Sequence, residues 1–177
     1  DRGFIAPLPN GGLIEGVADI PAMQFVQGKP APATVNPSLW RHSQLVNRGG
    51  LYEVLPDKIY QVRGNDLANL TIIETPNGII LYDVEFSPKT MKVAYELYAK
   101  HRGNRPLKAI ILSHSHTDHF GGIEGVIQTG LATEQDFQSG RIPIYVPQGF
   151  VKEAVSENVL FGNIMSRRSI YQYGAVL

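Results

Sequence analysis

From Leu51 onward the spacing of apolar positions sorts the chain into elements. Leu51-Tyr52-Glu53-Val54-Leu55 and Ile59-Tyr60-Gln61-Val62-Arg63 alternate as half-buried strands do, joined by Pro56-Asp57-Lys58. Leu70-Thr71-Ile72-Ile73-Glu74-Thr75 and Ile79-Ile80-Leu81-Tyr82-Asp83 repeat the pattern across Pro76-Asn77-Gly78, a turn signal. At Ser87-Pro88 the period lengthens. Serine followed by proline predicts an N-cap and first helical residue, and Met91, Ala94, Tyr95 and Tyr98 fall at helical spacing. The helix is expected to run to about His101, with Gly103 ending it. The apolar run Ala109-Ile110-Ile111-Leu112 predicts a buried strand over 109–113. A short helix over Gly121–Gln128, a loop or further helix over Gly130–Gly140, a strand over Ile142–Val146 and a helix from Phe150 to about Leu160 complete the pattern. Strands followed by strand, helix, strand and helix predict a layered α/β architecture.

Residues 1–48 follow no such period. Six of the 12 prolines fall there, interspersed with glycine, which predicts an irregular arm rather than regular elements. Phe4, Ile5, Leu13, Met23, Phe25 and Trp40 lead us to expect that this arm packs on the domain formed by residues 49–177.

Composition narrows the partners. The 177 residues, 43% hydrophobic and 18% charged, suit one soluble domain with a sizeable core. The 16 basic and 16 acidic residues cancel, so neither nucleic acid nor an anionic membrane is expected as a partner. No apolar stretch approaches the roughly 20 residues of a membrane span. The absence of cysteine excludes disulfides and thiolate ligands, and it fits either an exported or a cytosolic protein. Starting at Asp1 rather than Met, the chain is either processed or cut from a longer one, and a periplasmic or secreted location is the favoured expectation.

The chemistry concentrates in His114-Ser115-His116-Thr117-Asp118-His119, directly after the buried strand. Imidazole nitrogen and carboxylate oxygen are ligands for zinc and related ions. Continued as a strand, the segment would place His114, His116 and Asp118 on one face. The chain would then turn at His119, where Gly121-Gly122 offers a flexible corner. Three of the five histidines in one hexapeptide mark a metal site, and a catalytic one is expected.

His-x-His-x-Asp-His after a hydrophobic strand resembles the signature of the metallo-β-lactamase fold, an αββα sandwich with metal at one edge, of which this chain would hold the first half. Gly78-Ile79-Ile80-Leu81-Tyr82-Asp83 resembles that family's strand ending in an acid. The flanks Val62-Arg63-Gly64-Asn65-Asp66, Ser113 through Gly122, Asn163 through Arg168 and Tyr171 through Gly174 resemble the alkylsulfatase branch. The resemblance implies a hydrolase of small alkyl sulfates, with two Zn2+ per complete site sharing an activated water. His114 and His116 would take one zinc, and Asp118 and His119 the second. Asp118 would also take part in catalysis, and Asp83 would be an outer carboxylate holding a ligand imidazole in its tautomer. A helical dimerisation region and a lipid-carrier-like C-terminal domain are implied for the full-length protein, which is expected to be a homodimer.

Four ligands cannot saturate two zincs, each of which needs about four. His42 and His101 lie elsewhere, and Glu124, Glu134, Glu153 and Glu157 are expected on solvated faces. With the apolar end Gly174-Ala175-Val176-Leu177, this leads us to expect the N-terminal part of a longer enzyme. Arg167 and Arg168 are candidate sulfate clamps, although adjacent arginines are usually solvated. Three other readings stay open: a hydrolase of thioesters, lactones or lactams, an iron oxidoreductase, and a non-catalytic metal-binding fragment.

Overall fold

The computed structural model describes residues 2–173, so the apolar end Gly174–Leu177 lies outside the described residues. The region expected to be irregular contains regular elements. Strand β1 (Phe4–Pro7) is followed by a small hairpin, β2 (Leu13–Ile14) and β3 (Ala18–Asp19), and by helix α1 (Pro37–Val46). Proline supports α1 instead of breaking it. Pro37 sits in the first turn, and the Asn36 side chain accepts from the amides of Ser38 and Leu39. Strand β1 pairs antiparallel with the first strand of the main pattern, so this region joins the principal sheet.

That sheet continues through β4 (Gly50–Leu55), β5 (Ile59–Arg63), β6 (Leu70–Thr75) and β7 (Gly78–Tyr82). Helix α2 (Pro88–Arg102) crosses over to β8 (Leu107–Ile111), which lies parallel to β7, and β9 (Ile144–Tyr145) adds a short parallel edge. The seven strands lie in the order β1-β4-β5-β6-β7-β8-β9. Between β8 and β9 come α3 (Thr117–Phe120), α4 (Ile123–Gln128) and α5 (Glu134–Gln138). Helices α6 (Phe150–Val155) and α7 (Gly162–Tyr173) follow.

Alternation decides which face of the sheet is covered. Tyr60, Val62, Leu70 and Ile72 point to the α2 side and are fully buried, together with Met91, Ala94 and Tyr98 of the helical stripe. Their neighbours on the opposite face, Gln61, Thr71, Ile73, Ile80 and Ile111, are only half-buried. Among the described residues, the α2 face of this sheet is thus the more completely covered one. Helix α2 is fixed at both ends. Ser87 and Thr90 form a reciprocal capping box, and Gly103 takes φ +81° at the C-terminus. The last helices are less well covered, leaving Val159, Leu160 and Tyr171 exposed.

Candidate functional site

Strands β7 and β8 run parallel and end together, with Tyr82 opposite Ile111, so their outgoing loops share one sheet edge. The β7 loop carries Asp83 and the β8 loop carries the histidines. The strand does not continue through the motif as the alternation implied. Strand β8 ends at Ile111 and α3 begins at Thr117. The turn thus falls two residues before His119, and Asp118 reaches the site from a helix rather than from the face of a strand.

The three imidazoles nonetheless come together. Ring centroids of His114 and His119 are 4.0 Å apart, and those of His114 and His116 are 4.5 Å apart. Asp83 organises the interior side. It accepts from the Ser113 amide and hydroxyl, both at 2.8 Å, and lies 2.7 Å from His119 Nδ1. Because the Ser113 hydroxyl gives its hydrogen to Asp83, it can only accept from His114 Nδ1, 2.8 Å away. This assigns the Nδ1–H tautomer to both His114 and His119 and leaves their Nε2 atoms as bare acceptors. Burial lowers the pKa of His114, and the neighbouring His119 and His116 lower it further, which favours the neutral, ligand-competent ring.

On the outer side the partners are acids. His119 Nε2 lies 3.4 Å from Asp118 Oδ2, and His116 Nε2 lies 3.2 Å from Glu157 Oε1. For His119, whose Nε2 carries no hydrogen in that tautomer, the contact is an electron-rich one that a proton or cation would relieve. The donor set therefore fits a divalent ion. Among the described residues, however, no three His, Asp or Glu side chains are arranged to hold one. His42 and His101 lie on exposed helical positions of α1 and α2, away from the cluster. Arg167 and Arg168 are exposed on α7, and Phe120 packs edge-on against Phe150 at 5.4 Å.

Two residues differ from the sequence reading. Glu157 was expected on a solvated face, yet its side chain is 23% exposed and faces His116, because the turn after α6 folds back over the motif. Thr117 donates to Asn158 in the same turn. Ser113, which the sequence places only in a strand end and a flank resembling the alkylsulfatase branch, has a role that its position as a small hydroxyl residue between a buried strand and a histidine motif could have signalled. The glycines also act otherwise than expected. Gly121 and Gly122 have ordinary φ of −61° and −80°. A Cβ on Gly121 would lie 2.2 Å from the Phe86 carbonyl, and one on Gly122 would lie 1.9 Å from that of Val84. They permit close backbone approach and do not serve as a flexible corner. A cavity of about 370 Å3 lies elsewhere, lined by Arg2, Val46, Arg48, Tyr52 and Arg63.

Residues 63–133 match the Metallo-beta-lactamase superfamily, a span running from the end of β5 through the histidine motif. The chain is 48% identical over 181 residues to a linear primary-alkylsulfatase of Pseudomonas sp, covering 99% of this chain and 26% of the relative. It is 46% identical over 181 residues to an (R)-specific secondary-alkylsulfatase of Pseudomonas sp, with the same coverage of each chain. An alkyl/aryl-sulfatase of Saccharomyces cerevisiae is 41% identical over 183 residues, covering 99% of this chain and 27% of the relative. The solved structure of the stereoselective inverting sec-alkylsulfatase Pisa1 from Pseudomonas sp superposes with a TM-score of 0.86 at 46% identity, over 97% of this chain and 26% of that one. The mixed sheet with its helices thus matches a metallo-β-lactamase-fold alkylsulfatase structure, and a fold of this superfamily implies metal ions. The chain spans about a quarter of the length of the curated relatives it matches.

Proposed function

We propose that this chain belongs to a metal-dependent hydrolase that cleaves alkyl sulfate esters to alcohol and sulfate. His114, His116, Asp118 and His119 would hold the metal in this reading, and two zinc ions would occupy the complete site. The observation that carries it is the bare His119 Nε2 facing the Asp118 carboxylate beside two further imidazoles at one sheet edge, in a chain similar along its length to alkylsulfatases. Bound zinc would supply a Lewis acid that brings water's pKa toward neutrality and offsets charge on the sulfate oxygens.

The chain's own residues prepare that chemistry. Asp83 holds the Nδ1 proton of His119 and so fixes its tautomer. The Ser113 hydroxyl extends the same carboxylate to His114. Glu157 Oε1 lies beside His116, the most exposed of the three rings. Asp118 would add a negative oxygen beside His119 to that donor set. A homodimer of the full-length protein belongs to the same reading.

Sulfate release from a dodecyl sulfate and a secondary alkyl sulfate tests it, measured on zinc-loaded full-length protein beside thioester, lactone and lactam substrates. Sulfate is expected from at least one ester, with loss on His114→Ala. Turnover of a thioester, lactone or lactam without sulfate release would replace the substrate class. Tight metal uptake with no turnover of any substrate would leave a binding protein instead.

A further inference from the structure

Two residues beyond Asp83 lies an enclosed carboxyl group to which the proposed reaction gives no part. Glu85 and Asn65 are both 0% exposed. Asn65 Nδ2 donates to Glu85 Oε2 at 3.0 Å and to the Thr90 carbonyl at 3.2 Å. The remaining polar atoms of the two side chains, Asn65 Oδ1 and Glu85 Oε1, are buried without any hydrogen-bond partner. The charged group that faces Glu85 is another acid, Asp66, which follows β5. Asp66 is itself held by the Phe86 amide and the Thr90 hydroxyl. The remaining groups that act on Glu85 are neutral: Asn65, the Leu70 backbone and Thr90 at the start of α2. An ionised Glu85 would therefore be a buried anion beside a second anion, with one oxygen unsatisfied.

Both orphan atoms are acceptors, and a single hydrogen between them would satisfy both. We infer that Asn65 and a neutral Glu85 form a closed acid–amide pair, with Asn65 Nδ2–H on Glu85 Oε2 and Glu85 Oε1–H on Asn65 Oδ1, and that this pair positions the loop holding His119. Burial, reinforced by the charge of Asp66, acts in the same direction and pushes the Glu85 carboxyl up to about 8. The loop needs such an anchor. Asp83 and Glu85 take φ of +57° and +63°, a left-handed conformation that costs residues with a Cβ. Its backbone frames the site. The Val84 amide donates to the His119 carbonyl at 2.9 Å, and the Glu85 carbonyl accepts from Gly122 at 2.9 Å. The positioning half of this inference rests on the metal reading above, whereas the pair itself does not.

The test uses the full-length protein with Glu85→Gln, Glu85→Ala and Asn65→Asp. Glutamine can supply both hydrogen bonds of the pair without titrating. A carboxyl whose folded pKa is raised weighs against folding progressively as pH climbs from the ordinary carboxylate range through the folded value. The melting temperature of the Gln variant should therefore rise relative to wild type between about pH 5 and about pH 9. Asn65→Asp, which adds a third acid, should lose most at alkaline pH. Curves for wild type and Gln that stay parallel across this range would overturn the pair. For positioning, Glu85→Ala should weaken zinc binding about 10–100-fold and Glu85→Gln should restore it. Wild-type affinity in the Ala variant would overturn that role. If Ala does not fold, retention of zinc by Gln with loss in Asn65→Asp decides it. A wild type that takes up no zinc removes the positioning half together with the metal reading, and the pH curves still judge the pair.

Discussion

Two buried glutamates, Glu74 and Glu85, sit at opposite ends of one sheet and of the helix above it, and their surroundings are inverted. Strands β6 and β7 are antiparallel, so Glu74 near the end of β6 lies opposite in direction to Glu85 beyond the end of β7. Glu74, with a side chain 4% exposed, accepts from the Tyr98 hydroxyl at 2.8 Å, from Arg102 Nε at 3.0 Å and from Arg102 Nη2 at 3.1 Å. Arg105 adds a contact at 3.3 Å, and the Arg102 guanidinium rests 4.6 Å over the Tyr60 ring. Burial alone would raise the Glu74 carboxyl, but hydrogen bonds from Arg102 and Tyr98 with the arginine charges hold it below the ordinary range. Glu85 has an amide and a second acid where Glu74 has two arginines, and its carboxyl moves the other way. Burial raises both carboxyls, and the arginines and Tyr98 reverse that shift for Glu74 alone. The Glu74 end matches its charges internally. The other end accumulates acceptors in Asp66, Asp83, Asp118, Glu157 and the bare imidazole nitrogens of His114 and His119, an imbalance that suits a cation-binding edge.

Substitutions can break this contrast, and the largest effect is expected where backbone meets backbone. Gly122→Ala places a Cβ 1.9 Å from the Val84 carbonyl and should cost about 3 kcal/mol or more, read by denaturant unfolding. Gly103→Ala meets no atom within 4 Å but keeps φ +81°, so its loss should be nearer 1 kcal/mol. Glu74→Ala strands the buried Tyr98 hydroxyl and two guanidinium groups and should cost about 2–3 kcal/mol, moderated because both arginines reach solvent. Asp83→Asn removes the charge that holds His119 and should weaken zinc binding about 10–100-fold by titration, with the fold retained.

Acid pH sharpens the comparison further. The folded Glu74 carboxyl is depressed, so its contribution is present above the unfolded carboxyl value and disappears as pH falls through the folded one. The stability gap between wild type and Glu74→Gln should therefore shrink below about pH 4, whereas the gap for Glu85→Gln opens only as pH rises. A Glu74 gap independent of acid would remove the contrast. The smallest effect is expected at the exposed pair Lys92–Glu96, where Lys92→Ala should change stability by no more than about 0.5 kcal/mol.

Much of the fold was legible locally. The period-two segments became β4 to β7, and Ser87-Pro88 and Gly103 bounded α2, because side-chain alternation and capping depend on neighbours in sequence. The arm was misread because proline reports only what it forbids. At Pro37 it opens a helix, and strand β1 gains its partner from residues about fifty positions away. The histidine motif was legible as chemistry but not as geometry. The alternation of His114, His116 and Asp118 promised a strand face, yet the chain coils into α3 once the Val84 amide and Gly121-Gly122 tie it to the neighbouring loop.

The amino-acid order alone determined which residue types could bind a metal, which segments would pair as strands, and where the crossover helix begins and ends. Each of these follows from side-chain chemistry and short-range backbone preference. Only the tertiary structure decided that the imidazole held by Asp83 is His119, that Ser113 links Asp83 to His114, that Glu157 faces His116, and that Glu85 meets Asn65 rather than an arginine. Those outcomes depend on distances between groups far apart in sequence. The charge or tautomer of a buried group follows from whatever the fold brings within hydrogen-bonding reach.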